Sequence, residues 1–555
     1  MPYVKPGVEI TQVERSQSPV LITPELEVAI LGTAQHWQDP RLETSKASGV
    51  LKIDSGNSTG HDVTYNIADL GYAINDLTNV VIDLVATGSN SAGLYGKVFH
   101  VNVEVAGSTS RQTVTLASNI ITVKQTISPA NDDFFNHFED FDDDAEFLVY
   151  VGFLAEKTSA NVHKVIESYS DIQEQLGEPK TFNPLGYGAH VAMLNSGTAI
   201  NTFGHIGSQN CDAHLADFEL KDIYTIAGMD HDSDPVAYKQ HVEGQSISTA
   251  KHERIAFVNV ARPSEIEDGL TSTERAANAL TIQSANAAIG SKRVFSIHPD
   301  RGYVHELRHP ATLTSKWIVG SFAGSASQVI ATGKHDAAKL ISDVSTSTTT
   351  YKAGTKITST ILADLMASGW GENSDVMVDV PVPGYYYAAA VAGAVVGMPI
   401  QQPLTYYSIS GINEVYGGLD MFSEANLNTM AEGGTMILVQ NKKSTPVYCR
   451  HQLSTDVTTI ERKELSITKQ VDYTAKYIRK TLDKYAGKYN ITPNFIGLVE
   501  ANLRGISEDL VLGGIIADLK VLSVYQDTIS PDTVRAEVEI TVKYPANYIK
   551  VRLII

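Results

Sequence analysis

Residues 1–160 alternate between apolar and polar positions in short runs, which is the spacing of β-strands. Residues 8–13 (VEITQV) alternate in this way, and residues 26–32 (LEVAILG) form an apolar run typical of a buried strand. Residues 35–159 are rich in Gly, Ser, Asn and Thr. Three strand patterns lie within this block, at residues 98–105, 112–116 and 120–124. The block is therefore predicted to be an inserted, all-β domain.

Beyond residue 160, helical spacing of apolar residues alternates with short apolar runs. Helices are predicted at residues 169–176, 186–195, 236–241 and 272–289, and strands at 223–227 and 254–260. This alternation predicts an α/β core made of residues 23–34 and 160–430. Residues 343–358 are dense in Ser and Thr and predict an exposed excursion from that core.

The pattern changes again in the last part of the chain. An amphipathic helix is predicted over residues 473–486, a second helical segment over 493–506, and a hairpin over 518–544. These elements predict an α+β C-terminal domain over residues 431–544. The first helix has four apolar residues on one face: Ala475, Ile478, Leu482 and Tyr485.

Both ends of the chain have strand patterns that prolines separate from the body. Residues 1–22 are predicted to form an extended N-terminal arm, and residues 545–555 a C-terminal strand arm. A strand at residues 549–555 places four apolar residues on one side: Ile549, Val551, Leu553 and Ile555.

Composition limits the function. The 43 Lys+Arg residues against 63 Asp+Glu give a net charge of −20, which disfavours direct binding of nucleic acid. The two cysteines, Cys211 and Cys449, provide neither a disulfide framework nor a multi-cysteine metal site, which favours a reducing compartment. No secretory signal is expected at the start of the sequence.

The most apolar segment, residues 385–396, is shorter than the roughly 20 residues that a membrane helix needs. No membrane span is therefore expected. Gly393 and Gly397 form a GxxxG spacing within this segment, which in a soluble chain predicts close helix packing in a core.

The segment HELRH at residues 305–309 matches the H-E-x-x-H pattern of zinc metalloproteases. That pattern needs a helix that places both histidines on one face, but Gly302 and Pro310 disfavour a helix here. A polar loop is predicted instead. Aspartates within residues 230–234 lack the glycine and closing acidic residue of a calcium loop, and the acidic run at 139–146 is typical of a solvated face. No catalytic residue, metal or cofactor is predicted.

Basic residues concentrate on the predicted helix near residue 480. Residues 469–488 contain six basic and two acidic residues, a local charge of +4 in an acidic chain. A solvated helix face is the ordinary interpretation of such a stripe. Its residues are Lys476, Arg479, Lys480, Lys484 and Lys488.

Several segments resemble the tail sheath family of contractile phages, in order and spacing along most of the chain. They are residues 5–10 (KPGVEI), 168–177 (SYSDIQEQLG), 185–197 (LGYGAHVAMLNSG), 412–419 (INEVYGGL), 427–440 (LNTMAEGGTMILVQ) and 447–456 (VYCRHQLSTD).

The resemblance implies a structural subunit and no enzyme. Such subunits are expected to form stacked six-fold rings around an inner tail tube, and to contract so that the tube crosses the host envelope. Expected partners are further copies of the chain, the tube protein, and baseplate and tail terminator proteins. The expected location is the virion tail, assembled in the host cytoplasm. Residues 35–159 would then lie on the outside and residues 431–544 would serve assembly.

The resemblance also suggests roles for particular residues. The basic stripe would face an acidic exterior of the tube. The two arms would add strands to neighbouring subunits through Val8 and Ile10 at one end and through Ile549, Val551, Leu553 and Ile555 at the other.

Three alternatives remain open from the sequence. A sheath of a phage-derived contractile particle would share the same segments. A zinc metalloprotease would rest on HELRH alone. A surface adhesin would be expected to show a secretion signal or repeats, and neither is evident.

Overall fold

The computed structural model describes the following residues, and all structural statements concern these: 25–38, 48–53, 61–66, 77–87, 98–105, 108–115, 120–125, 133–139, 145–156, 162–181, 183–204, 210–230, 233–259, 271–308, 317–319, 328–330, 339–340, 343–345, 349–352, 355, 361, 376–416, 422–442 and 445–553. The predicted N-terminal arm at residues 1–22 lies outside them.

The chain has a mixed α/β fold. Its strands are β1 Val28–Gly32, β2 Gln35–Gln38, β3 Ser48–Ile53, β4 His61–Asn66, β5 Leu77–Thr87, β6 Val98–Val105, β7 Ser108–Thr115, β8 Ile120–Gln125, β9 Asp133–Glu139, β10 Ala145–Glu156, β11 Val162–Ile166, β12 Ile200–Gly204, β13 Thr225–Gly228, β14 Ile255–Val258, β15 Val294–His298, β16 Arg301–Arg308, β17 Trp317–Val319, β18 Gln328–Ile330, β19 Lys339–Leu340, β20 Val344–Ser345, β21 Thr350–Tyr351, β22 Val376–Pro383, β23 Ser408–Ile409, β24 Glu414–Tyr416, β25 Thr435–Val439, β26 Val447–Cys449, β27 Asp518–Gln526 and β28 Val534–Thr541. Its helices are α1 Tyr169–Leu176, α2 Pro184–Ser196, α3 Pro235–Gln245, α4 Ser272–Ile289, α5 Tyr385–Gly397, α6 Glu424–Glu432, α7 Ile460–Lys463, α8 Leu465–Leu482 and α9 Pro493–Leu512, with a 3₁₀ helix at Cys211–Phe218.

A nine-stranded sheet forms the centre of the larger part of the chain. Its strand order is β11-β12-β1-β13-β14-β15-β25-β26-β23. The six strands from β12 to β25 run parallel to one another, and the pairings at both ends of the sheet are antiparallel. Parallel strands are covered on both faces, which explains why β1 is a continuous apolar run with every residue buried.

Helices cover both faces of this sheet. Ala29 and Leu31 of β1 belong to an apolar cluster that contains Tyr238 of α3. Ile30 points to the opposite face, where Gly188 of α2 lies against it. Helix α5 packs on the same side, since Thr225 of β13 donates its hydroxyl to the Ala392 carbonyl at 3.2 Å. The predicted α/β layering is therefore present.

Helix α5 packs closely against α2. A Cβ atom added at Gly393 would lie 2.1 Å from the Ala192 carbonyl oxygen, and one at Gly397 would lie 2.6 Å from the Asn195 carbonyl oxygen. The GxxxG spacing therefore marks a close helix contact, as predicted. Among the described helices, none combines the length and the apolar character that a membrane span requires.

Residues 35–156 form antiparallel sheets wherever they are described. One sheet has the order β2-β10-β5-β8, with β3 also paired to β10, and another has the order β4-β9-β6-β7. The β-rich character of this block agrees with its sequence, while its separation as a domain stays a prediction.

The chain divides into two compact units. One contains residues 27–398 and 404–463, and the other contains the described residues up to Leu26, residues 399–403 and the chain from Glu464 onward. The predicted boundary at residue 431 is wrong. Strands β25 and β26 join the nine-stranded sheet, so residues 431–463 belong with the α/β unit.

Candidate assembly surface in the C-terminal unit

The hairpin of β27 and β28 has one packed and one exposed face. Leu519 is 3% exposed and packs with Ile506 and Leu510 of α9. On the other face, Lys520 lies opposite Glu539, and both are exposed. Within the described part of the chain, neither outer edge of the hairpin pairs with a further strand. Each edge therefore offers backbone N–H and C=O groups to an added strand.

The tip of the hairpin is held by Asp527. Its carboxylate accepts hydrogen bonds from the Ile529 backbone N–H at 2.9 Å and from Arg535 Nε at 2.5 Å. These bonds hold the pKa of Asp527 below its usual value. The side chain of Asp527 is buried, whereas Ile529 is 87% exposed. The hairpin therefore presents an apolar side chain from an ordered turn.

The segment that follows β28 is exposed. Residues 542–553 form no strand in the structure, and Ile549, Val551 and Leu553 are 85%, 78% and 86% exposed. Lys550 and Arg552 alternate with them and are also exposed. The segment therefore has an apolar and a basic side, as an amphipathic strand would. Three further predicted arm residues lie outside the described part: Val8, Ile10 and Ile555.

The predicted basic stripe is not one continuous exposed helix face. Helix α8 ends at Leu482, so Lys484 and Lys488 lie beyond it. Lys476 is only 3% exposed. The prediction is wrong at these positions because α8 buries the side that carries Lys476 and Tyr477 and ends at Leu482.

The remaining basic residues surround the turn that leads from α8 to α9. We call them the basic corner: Arg479, Lys480, Lys484 and Lys488. The Lys484 ammonium lies 5.0 Å from the centre of the Tyr485 ring. Tyr489, which is 53% exposed, stacks on Phe495 with ring centres 5.9 Å apart. The corner thus combines positive charge with aromatic surface, a composition suited to an acidic partner.

Buried polar contacts hold α8 within its unit. Lys469 is fully buried, and its Nζ donates to the Pro399 carbonyl at 3.4 Å. Burial lowers the pKa of Lys469 to about 7. The Tyr477 hydroxyl donates to Asp509 Oδ2 at 2.5 Å, and burial together with that carboxylate raises the pKa of Tyr477. These buried hydrogen bonds therefore fix the position of α8 within its unit.

Residues 305–308 of HELRH lie in strand β16, so the predicted polar loop is wrong for them, and His309 lies outside the described residues. His305 and Glu306 lie in β16, opposite Asp379 and Val378 of β22. Successive strand residues point to opposite faces, and accordingly His305 is exposed while Glu306 is buried. Glu306 accepts hydrogen bonds from the Thr181 hydroxyl at 2.6 Å and backbone N–H at 3.1 Å. The helix that a metalloprotease site needs is not formed here, and no group of three potential metal ligands occurs among the described residues.

The aspartates near residue 230 have structural contacts. Asp230 accepts hydrogen bonds from the Cys211 backbone N–H at 2.5 Å and the Ser233 hydroxyl at 2.8 Å. Asp234 caps α3 by accepting from the Val236 N–H at 2.9 Å. These carboxylates stabilise a turn and a helix start.

Comparisons with known proteins give one informative sequence match. No family model matches the chain. The tail sheath protein of Mycobacterium phage Bxz1 is 30% identical over 178 residues, which are 31% of this chain and 29% of that protein. The match therefore spans less than a third of that relative's length. The resemblance to tail sheath proteins is confirmed by this relative.

Several solved structures of sheath proteins are distantly similar to this chain. The helical sheath of the anti-feeding prophage in its contracted state matches with a TM-score of 0.43 and 11% identity, over 71% of this chain and 88% of that one. The sheath tail protein from Desulfitobacterium hafniense matches with a TM-score of 0.36 and 11% identity, over 97% and 100%. The one from Listeria innocua matches with a TM-score of 0.35 and 10% identity, over 94% and 96%. TM-scores below 0.5 do not by themselves establish a common fold.

Sequence patterns did not reveal three polar residues that hold the chain around the start of the C-terminal arm: Gln470, which hydrogen-bonds to the Lys543 backbone, and Glu464 and Asn547, which hydrogen-bond to each other. They are separated along the chain, and each is an ordinary polar residue in a helix or loop. The sequence signal was weak, because Gln470 precedes the predicted helix at residues 473–486 and its burial is evident only in the structure.

Proposed function

We propose that this chain is the structural, non-enzymatic subunit of a contractile tail sheath. It polymerises as stacked six-fold rings around an inner tube and contracts to drive that tube through a host envelope. The observation that carries the proposal is the 30% identity with a phage tail sheath protein over 178 residues. The partners are further copies of the chain, the tube protein, and baseplate and terminator proteins. The assembled protein lies in the virion tail.

The proposal includes a link between subunits by strand addition. The C-terminal arm, residues 545–555, adds to an open edge of the β27–β28 hairpin of a second copy, and the N-terminal arm does likewise. Three features support the C-terminal link: the unpaired hairpin edges, the exposure of Ile549 and Val551, and the alternation of apolar with basic residues. Strand addition draws its affinity from backbone hydrogen bonds and its specificity from alternate side chains.

Charge complementarity favours the hairpin as the acceptor. Its β28 strand carries Glu537 and Glu539 on exposed positions, while the arm carries Lys550 and Arg552. Opposite charges on neighbouring strands contribute roughly 0.2–1 kcal/mol per pair. Glu539 already lies opposite Lys520, so Glu537 of a second copy is the acidic residue best placed to face the basic arm.

This linkage suits contraction because backbone pairing survives a rotation of the subunit body while side-chain contacts are remade. No nucleotide is needed. The energy comes from a metastable extended lattice whose contracted form buries more interface.

The test removes the last six residues of the arm and leaves the rest of the chain unchanged. The chain lacking Lys550–Ile555 is expected to remain folded by circular dichroism and to stay in the supernatant after ultracentrifugation, whereas the full chain pellets as polymer. Val551→Pro should act similarly because proline cannot donate the backbone N–H. The matched control, Val551→Thr, keeps that N–H and should pellet. If the truncated chain pellets as the full chain does, the linkage is refuted.

A further inference from the structure

The chain just before the C-terminal arm is tied to α8 by the side chain of Gln470. The Gln470 amide is buried, and its Nε2 donates to the Lys543 carbonyl at 3.0 Å while its Oε1 accepts from the Lys543 N–H at 2.8 Å. This paired contact reproduces what a neighbouring β-strand would make with Lys543. The Lys543 ammonium also donates to the Gly514 carbonyl at 2.6 Å. Three hydrogen bonds thus fix Lys543, two residues beyond β28.

A second contact lies four residues further along. Asn547 Nδ2 donates to Glu464 Oε1 at 2.9 Å, and Glu464 is fully buried just before α8 begins. Exposure changes sharply after this contact, since Tyr548 is 79% exposed and Ile549 is 85% exposed. The boundary between the held and the exposed part of the arm therefore falls between Asn547 and Tyr548.

We propose that Gln470 and Glu464 form a clamp that sets where, and in which direction, the arm leaves its subunit. The clamp holds residues 543–547, so that only the chain from Tyr548 onward has to be ordered when the arm pairs with a second copy. Ordering fewer residues costs less entropy, and a shorter tether raises the effective concentration of the arm at the neighbouring hairpin. Gln470 and Glu464 are positioning residues. The benefit of the clamp to assembly rests on the proposed function.

The clamp is tested first on the unassembled full chain by limited trypsin digestion, with mass spectrometry of the fragments. The wild type should be cut quickly after Lys550 and Arg552 and slowly after Lys543. Gln470→Met keeps the side-chain length but loses both bonds to Lys543. Because each bond contributes a factor of about five to local stability, the loss of both should raise cleavage after Lys543 by about tenfold or more. The matched control, Gln526→Met, removes a glutamine that donates to the Pro531 carbonyl at the hairpin tip, and should leave that cleavage slow.

A second variant tests the clamp independently, in case Gln470→Met does not fold. Asn547→Leu changes a half-buried residue outside every described helix and strand, and removes its hydrogen bond to Glu464. It should also raise cleavage after Lys543, while the melting temperature stays close to that of the wild type. Unchanged cleavage in Asn547→Leu and in folded Gln470→Met would overturn the clamp.

Assembly then separates this inference from the proposed function. Gln470→Met retains the whole arm, so it should still polymerise, with a critical concentration raised about tenfold. If removal of Lys550–Ile555 blocks assembly while Gln470→Met assembles like the wild type, the clamp is wrong and the sheath proposal stands. If the truncation has no effect on assembly, the proposed linkage is wrong, whatever the protease shows.

Discussion

At the scale of single residues, Gly393 shows how one missing side chain permits a fold. It lies where α5 meets α2, and a Cβ atom there would approach the Ala192 backbone oxygen to 2.1 Å. Backbone cannot move away as a side-chain end can, so the two helices would have to separate. The contact lies beside the nine-stranded sheet, and the stability of the α/β unit depends on it.

Gly393→Ala is therefore expected to destabilise the protein by about 1–3 kcal/mol, as for overpacking of a core. Gly244→Ala in α3 is the matched control, because nothing lies within 4 Å of its added Cβ. Alanine favours a helix over glycine, so the control should be neutral or more stable by up to about 1 kcal/mol. Urea unfolding followed by circular dichroism measures both. Equal stability of the two variants would contradict this account of the contact.

The GxxxG spacing correctly predicted the close contact between α5 and α2, whereas the structure predicted for HELRH was wrong. Gly302 and Pro310 correctly indicated that no helix forms here. The described part of the segment is a strand and not a loop. Glu306 is buried and bonded to Thr181, a residue 125 positions away. Such a long-range partner leaves no trace in local spacing, so the strand could not be distinguished from a loop.

At the scale of elements, α8 shows what helical periodicity can and cannot predict. The existence of the helix was predicted, but its start at Leu465 was not, because the preceding turn has Glu464 with no side-chain cap bond at the N-cap position. Many of the residues that α8 buries are polar, including Thr468, Lys469 and Gln470. Polar residues with buried partners do not register in a pattern of hydrophobicity, and the position of the stripe was misjudged for that reason.

The basic corner remains a proposed contact with an acidic tube surface. Changing Lys480, Lys484 and Lys488 to Glu should weaken binding to the tube protein and reverse its salt dependence while the fold stays intact. Lys476 is excluded from this test because its burial makes a glutamate there disruptive. Binding is measured by co-sedimentation with preformed tubes at rising salt.

The control for this experiment has the same net charge. Lys221, Lys251 and Lys442 lie in the α/β unit on exposed positions, and their change to Glu should leave tube binding near the wild-type level. Equal loss of binding in both triple variants would mean that total charge, rather than the corner, governs the association.

At the scale of the whole molecule, the position of the β-rich block follows from sheet register. Gly32 at the end of β1 and Val162 at the start of β11 both align with Gly204 of β12, one from each side. Neighbouring strands are about 4.8 Å apart, so the chain leaves and re-enters the sheet at points roughly 10 Å apart. The described residues that flank this block, Gly32 and Val162, are therefore close together, as they would be around a removable insertion.

We expect that replacing residues 35–159 by a four-residue Gly-Ser linker leaves a folded chain that still polymerises. The linker and the residues beside it easily span roughly 10 Å. Circular dichroism and ultracentrifugation measure folding and assembly. A deletion variant that folds but never polymerises would show that the block is a lattice contact.

Negative-stain electron microscopy of the purified chain shows whether it assembles with itself. We expect hollow tubules whose end views have six-fold symmetry. A chain that stays monomeric and folded at every concentration and salt condition tried, with no tubules or rings, would contradict this expectation.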